Sequence, residues 1–270
     1  MKLSIVISTQ PATFNALAYK GRLSENIRKI RKLGYDGVEL AVRNPRLLDF
    51  TAVKGFTINN GFPVSALGTG QAYSEEGLSF SDPEQKIRRQ AIECVKAHIG
   101  LATELNAIVI IGLIRGVVQP GADKARAEQW ILAALDECAA VNPDVRLAIE
   151  PCNRYEANTV NTVAEGIALV DQLGRQNVGL LLDTFHMNIE EPDMLESIEN
   201  AAQRLFHFHI ADSNRWYPGA GHIDFRAVCA KLHQIGYAGF LSAEILPQPD
   251  ADTAAEMTIY TMRNLENINE

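Results

Sequence analysis

Four residues of this chain, Glu150, Asp183, His209 and Glu244, combine oxygen and nitrogen donors in a pattern suited to divalent-metal chemistry. Each closes a short apolar run: RLAIE over 146–150, VGLLLD over 178–183, RLFHFH over 204–209 and GFLSAE over 239–244. Successive members are 33, 26 and 35 residues apart, about one strand, one helix and their loops. Four independent caps or ion pairs explain such regularity poorly. Three carboxylates and an imidazole gathered at one point repel one another unless a cation sits among them. With one nitrogen and no thiolate, the set favours manganese or magnesium, with cobalt able to substitute, over structural zinc. Four protein donors leave about two octahedral positions, enough for a bidentate ligand.

These residues meet only if the elements carrying them converge. A closed (β/α)8 barrel does this, because residues leaving the C-terminal ends of its parallel strands share one mouth. Apolar runs alternate with segments of helical period along the whole chain, the pattern of βα units. The earlier strand candidates are Leu3–Ser8, Gly37–Leu40, Pro63–Leu67 and Ala107–Gly112. The helical segments include Asn44–Asn59 and Thr253–Asn267. Glycines 34, 174 and 236 stand just past helix ends, and prolines 83 and 192 stand where a first helical turn tolerates them. The 270 residues make one barrel with little left over, so a single α/β domain over 1–270 is expected. A net charge of -8 lacks the basic footprint of a nucleic-acid partner. Four scattered cysteines form no CxxC and fit reduced thiols in a cytoplasmic enzyme. No run approaches the ~18 apolar residues of a membrane span.

The phrases AIEPCNRYE (148–156), LLDTFHMNIEE (181–191), FHFHIADSNRWYPGAGHIDF (206–225) and AEIL (243–246) resemble the xylose-isomerase-like barrel superfamily. Within it, the fit is to the branch of D-tagatose and D-psicose 3-epimerases. GYDGVEL (34–40) and the closing Glu extend the resemblance over essentially the whole chain. LSIVIST, ALGTGQAY (66–73), IIGLIRG (110–116) and DTFHMNIEE resemble more narrowly the epimerases that convert 5-keto-L-gluconate to D-tagaturonate. The resemblance implies a cis-enediolate epimerisation next to a ketone, with one divalent ion, Mn2+ first. Glu150 and Glu244 would be both metal ligands and the acid–base pair, and Asp183 and His209 ligands only. His186 and Arg215 would hydrogen-bond oxygens around the ketone, and Glu156 would contact the C1 end of a ketose. Arg115, which the neutral-sugar enzymes do not generally need, would reach the mouth and bind a substrate carboxylate. The implied partner is a small sugar or sugar acid, and relatives commonly form homodimers or homotetramers.

The residues alone leave alternatives open. A hydrolase of the endonuclease IV type shares the barrel but needs more histidines than the six present and a basic groove. A sugar-binding protein without catalysis would not need both carboxylates, while an isomerase or dehydratase on the same scaffold is poorly separated from an epimerase. Glu39 is expected to brace the barrel mouth. His207 is taken to face a helix, away from His209, and His98 and His233 are read as structural. Arg215 with Trp216 and Tyr217 makes either a lid or a solvated loop.

Overall fold

The computed structural model describes residues 1–57 and 60–266. Eight parallel strands close on themselves: β1 Lys2–Ser8, β2 Val38–Ala41, β3 Val64–Gly68, β4 Ile108–Ile111, β5 Leu147–Ile149, β6 Val178–Asp183, β7 Leu205–Ile210 and β8 Phe240–Ala243. They pair in sequence order, and β8 pairs back onto β1 from Lys2↔Phe240 to Ile5↔Ala243. A two-residue strand, Tyr19–Lys20, adds to the outer edge of β1. This is a single (β/α)8 barrel wrapped by helices. Its strands read as continuous apolar runs because both faces are covered. The main core lies between sheet and helices, where Ile5, Ile7, Val109, Leu147 and Leu180 are fully buried. A small second cluster, Ala66, Ile110, Ala148 and Leu181, fills part of the barrel interior.

Local chemistry sets the element ends. Gly34 and Gly174 cap their helices at φ 98 and 62, values that side chains other than glycine rarely adopt. Thr162 and Glu165 form a reciprocal capping box that starts the helix Val163–Leu173. Pro83 and Pro192 stand just before the N-caps Glu84 and Asp193 rather than inside the first turn. The expected helix Asn44–Asn59 is broken. Asn44 caps a 3-10 turn at Pro45–Leu47, and Asp49 then caps a separate helix Phe50–Phe56. Asn59 and Asn267, the far ends of two expected helices, lie outside the described residues.

Sheet register positions the mouth. Asp183 on β6 pairs directly with His209 on β7, which pairs with Ser242 on β8. Glu150 and Glu244 each follow the end of their strand, so all four side chains leave the same rim.

Candidate metal centre

One ligand-type atom from each of Glu150, Asp183, His209 and Glu244 lies within 4.8 Å of the others. His209 Nδ1 is 3.7 Å from Glu150 Oε1 and 3.9 Å from Asp183 Oδ2. These separations are too long for hydrogen bonds and short enough for both atoms to reach one ion between them. All three of these atoms are buried and have no hydrogen-bond partner. Orphaned buried acceptors are rare, and three converging on one point fit a divalent cation.

Local structure aims each donor. Asp183 caps the short helix Thr184–Glu190 through Oδ1, which accepts from Phe185 N at 2.8 Å, leaving Oδ2 for the site. The carboxylate of Glu150 lies where a Cβ on Gly112 would stand, so the glycine after β4 makes room for it. His209 Nε2 donates to both oxygens of Glu39, at 3.0 and 3.1 Å, which keeps its Nδ1 free toward the other ligands. Glu39 therefore braces a ligand, in keeping with the expectation for it. His207 departs from expectation. Its Nε2 donates to Glu39 Oε2 at 2.7 Å inside the barrel. Residues two apart on a strand share a face, so His207 lies on the same face as His209, their rings 5.4 Å apart, rather than on the helix-facing side.

Burial and repulsion from Glu244 push the Glu150 carboxyl up to about 8, and burial likewise raises Asp183 and Glu244. Burial opposes charge on His209, but the Glu39 carboxylate outweighs it and drives the imidazole up to about 10. For Glu39 the order is the same: burial raises its carboxyl, yet the two histidines hold it well below the usual range. Without a metal, the cluster takes up protons to relieve its own repulsion. Cys152 also lies within reach, but burial raises its thiol far above the usual value, and the protonated thiol donates to the Glu150 carbonyl.

His186 stands beside the ligands, its Nε2 3.8 Å from Glu150 Oε1 and 3.9 Å from Asp183 Oδ2. Its Nδ1 accepts from the backbone N–H of Asn153 at 3.3 Å, a group that can only donate. Burial holds the ring neutral, so the proton resides on Nε2 and faces the pocket. Arg215 bridges Glu156 at 2.6 Å and Glu244 at 2.7 Å. Its guanidinium also lies between the rings of Phe14 and Phe185, with centroids 5.2 and 4.7 Å away. The backbone of Arg215 is left-handed at φ 62, a conformation that its surroundings must enforce. Asp212 supplies that constraint: its carboxylate accepts from the backbone N–H groups of Ser213, Gly219 and Ile223, tying the loop into one turn. Arg215 itself is only 7% exposed, whereas Asn214, Gly219, Gly221 and His222 of the same loop are exposed.

Glu156, His186 and Arg215 thus join Glu150, His209 and Glu244 on one pocket, together with Phe14, Leu17, Gln71 and Leu113, while Asp183 lies just beneath its wall. Arg115 does not line it, which corrects the expectation that its guanidinium meets a substrate carboxylate there. The chain turns through a 3-10 segment, Leu113–Arg115, whose carbonyls pair with the N–H groups of Phe80 and Ser81. Arg115 is folded underneath, only 1% exposed, donating to the carbonyls of Ile111 at 2.6 Å and Val160 at 3.4 Å. Sequence reading missed Asp212, Asn153 and Gln71, whose roles depend on loop geometry. The Asp-Ser-Asn-Arg run and the glycines at 219 and 221 were the available signal for Asp212.

The family model described as xylose isomerase-like TIM barrel matches residues 27–263. An L-ribulose 3-epimerase of Mesorhizobium japonicum is 30% identical over 93% of this chain and 85% of its own length. A D-psicose 3-epimerase of Enterocloster bolteae is 36% identical over 86% of this chain and 79% of its own length. Among solved structures, a D-allulose 3-epimerase of Methylomonas sp. in complex with D-allulose superposes with a TM-score of 0.81 at 25% identity, covering 97% of each chain. Among the described residues, no helix is long and apolar enough to cross a membrane.

Proposed function

The chain belongs to the xylose isomerase-like TIM barrel family, and from that premise we propose that it is a divalent-metal-dependent sugar epimerase inverting the carbon next to a ketone. The observation that carries this is the convergence of three orphaned ligand atoms at a site that also gathers two buried carboxylates of raised proton affinity, Glu150 and Glu244. Glu150, Asp183, His209 and Glu244 would hold the ion, with Mn2+ first among candidates, and a bound ion supplies Lewis-acid stabilisation of negative charge on the ketone oxygen.

The chain's own residues do the remainder. One of Glu150 and Glu244 removes the proton from the carbon next to the ketone, and the other delivers a proton to the opposite face, each as a general acid–base group. His186 donates its Nε2–H to a substrate oxygen. Arg215 orients Glu244 while its bond to Glu156 fixes the wall near the sugar's end, and the half-buried rings of Phe14 and Phe185 beside it limit the access of water.

Two substrate readings follow. The narrow signatures around residues 66–73 and 110–116 support a keto-sugar acid, 5-keto-L-gluconate converted to D-tagaturonate. One observation favours a neutral ketose instead: Arg115 is walled off, and Arg215, already committed to two carboxylates, leaves no free cation on the pocket wall among the described residues. The test is incubation of Mn2+-loaded protein in deuterium oxide with D-tagatose, D-fructose, D-psicose, 5-keto-L-gluconate and D-tagaturonate, followed by NMR. Epimer formation with deuterium at the inverted carbon is expected. Isomerisation between ketose and aldose, or loss of water, would reassign the reaction.

A further inference from the structure

The half of the pocket opposite the four ligands carries one unsatisfied polar group. Gln71, on the short helix Gly70–Ser74 that follows β3, lines the pocket and is only 3% exposed. Its carboxamide orientation is dictated by Ser8 at the end of β1. The Ser8 hydroxyl spends its single proton on the Gln10 carbonyl at 2.5 Å, so toward Gln71 it can only accept. The Gln71 group facing Ser8, at 2.6 Å, must therefore be the donating Nε2. This leaves Oε1 as an acceptor, buried and without a partner. The other buried polar groups nearby are engaged: Thr69 Oγ1 donates to Ile110 O at 2.7 Å, and Glu39 is held by two histidines. Apart from the exposed Ser74, the rest of this wall is apolar, with Val6, Phe14, Leu17, Ala41, Ile110 and Leu113.

An acceptor fixed in a largely apolar wall costs stability unless a donor reaches it. Resting on the keto-sugar reading above, we propose that Gln71 is a specificity-determining residue whose Oε1 accepts the proton of a hydroxyl on the part of the sugar chain away from the metal. Ser8 is its positioning residue, since without Ser8 the carboxamide can turn and offer N–H groups instead. A site built to hydrogen-bond one hydroxyl rejects the analogue lacking it, because its own buried group is then left unpaired.

The experiment uses whichever of the five sugars above the Mn2+-loaded wild type turns over best, with the deoxy analogues at each remote hydroxyl, on wild type, Gln71→Met and Ser8→Ala. For one analogue, wild type is expected to lose about tenfold in kcat/KM. Gln71→Met should lose about the same on the parent sugar, bind Mn2+ with unchanged affinity, and show no further loss on that analogue. Ser8→Ala should discriminate about threefold less than wild type, and it carries the test if Gln71→Met does not fold. Gln71→Met discriminating among the analogues as wild type does, or Ser8→Ala retaining full discrimination in its place, overturns the proposal while leaving the epimerase reading intact. Wild type that turns over none of the five sugars removes that reading and this proposal with it.

Discussion

The two halves of the barrel mouth differ in what they ask of their surroundings. The β5–β8 half supplies Glu150, Asp183, His209 and Glu244, a cluster that repels itself and holds three atoms without partners. The β1–β4 half supplies apolar side chains, one held amide and Glu39, whose charge is directed across the barrel at His207 and His209. On the reading proposed above, proton transfer belongs to the charged half, and discrimination among the hydroxyls remote from the metal belongs to the neutral one. A substitution on the charged half should reach metal affinity and proton transfer, whereas one on the neutral half should reach KM and discrimination among sugars.

The largest effects should come from Glu150→Gln and Glu244→Gln. Each removes an acid–base group and weakens a ligand, so epimerisation should fall by ~10²–10⁴-fold or more. Metal content measured in parallel separates the two losses. One variant should still exchange substrate hydrogen with solvent deuterium, because half of the reaction survives. Both variants turning over at wild-type rates when fully metal-loaded would break the division between the halves.

Glu39→Gln crosses from one half to the other. The amide presents one acceptor where two histidine N–H groups now bond a carboxylate, so His209 loses the partner that fixes its tautomer. Loss of such a support typically costs ~10–100-fold in metal affinity, readable by titration calorimetry with Mn2+ alone. Unchanged affinity would make Glu39 a packing residue.

Next in size is a pH effect confined to the charged half. In the metal-free protein, Glu150 is raised from its ordinary value to about 8, so its contribution to stability is fully present below the unfolded value and is lost as pH rises through 8. His209, raised to about 10, changes in the same sense at higher pH. A cation must displace these protons, and deprotonated ligands bind it better. The gain in Tm on adding Mn2+ should therefore grow from pH 6 to pH 8.5. A gain that shrinks over this range would mean that the ligands are not these groups.

How far the sequence could be read follows the same division. The convergence of the charged half was legible because each of its four residues ends a strand, where position in the repeat fixes direction as well as location. Asp183 and His209 sit side by side in register, as that repeat requires. Arg115 was misplaced because it follows its strand by four residues, and the 3-10 turn held by Phe80 and Ser81 then decides where the side chain goes. Gln71 and Asp212 were invisible for a related reason: their roles depend on which backbone groups a loop presents to them. The error at His207 was one of parity, since i and i+2 share a face and its Glu39 partner is 168 residues away.

The smallest predicted effect lies where the halves touch. Phe14, on the loop after β1, stacks against the Arg215 guanidinium at 5.2 Å, while Phe185 lies 4.7 Å away on another side. Arg215 keeps its two carboxylate bonds without Phe14, so the ion-pair geometry should survive Phe14→Leu. What goes is a desolvated cation–π contact of ~0.5–2 kcal/mol, shared here with a second ring, and some exclusion of water above Glu156. KM should rise by about two- to fivefold with kcat and Mn2+ affinity nearly unchanged. A matching fall in kcat would show that Phe14 supports Arg215 against Glu244 in the transition state, and the neutral half would then share in the chemistry as well as in selection.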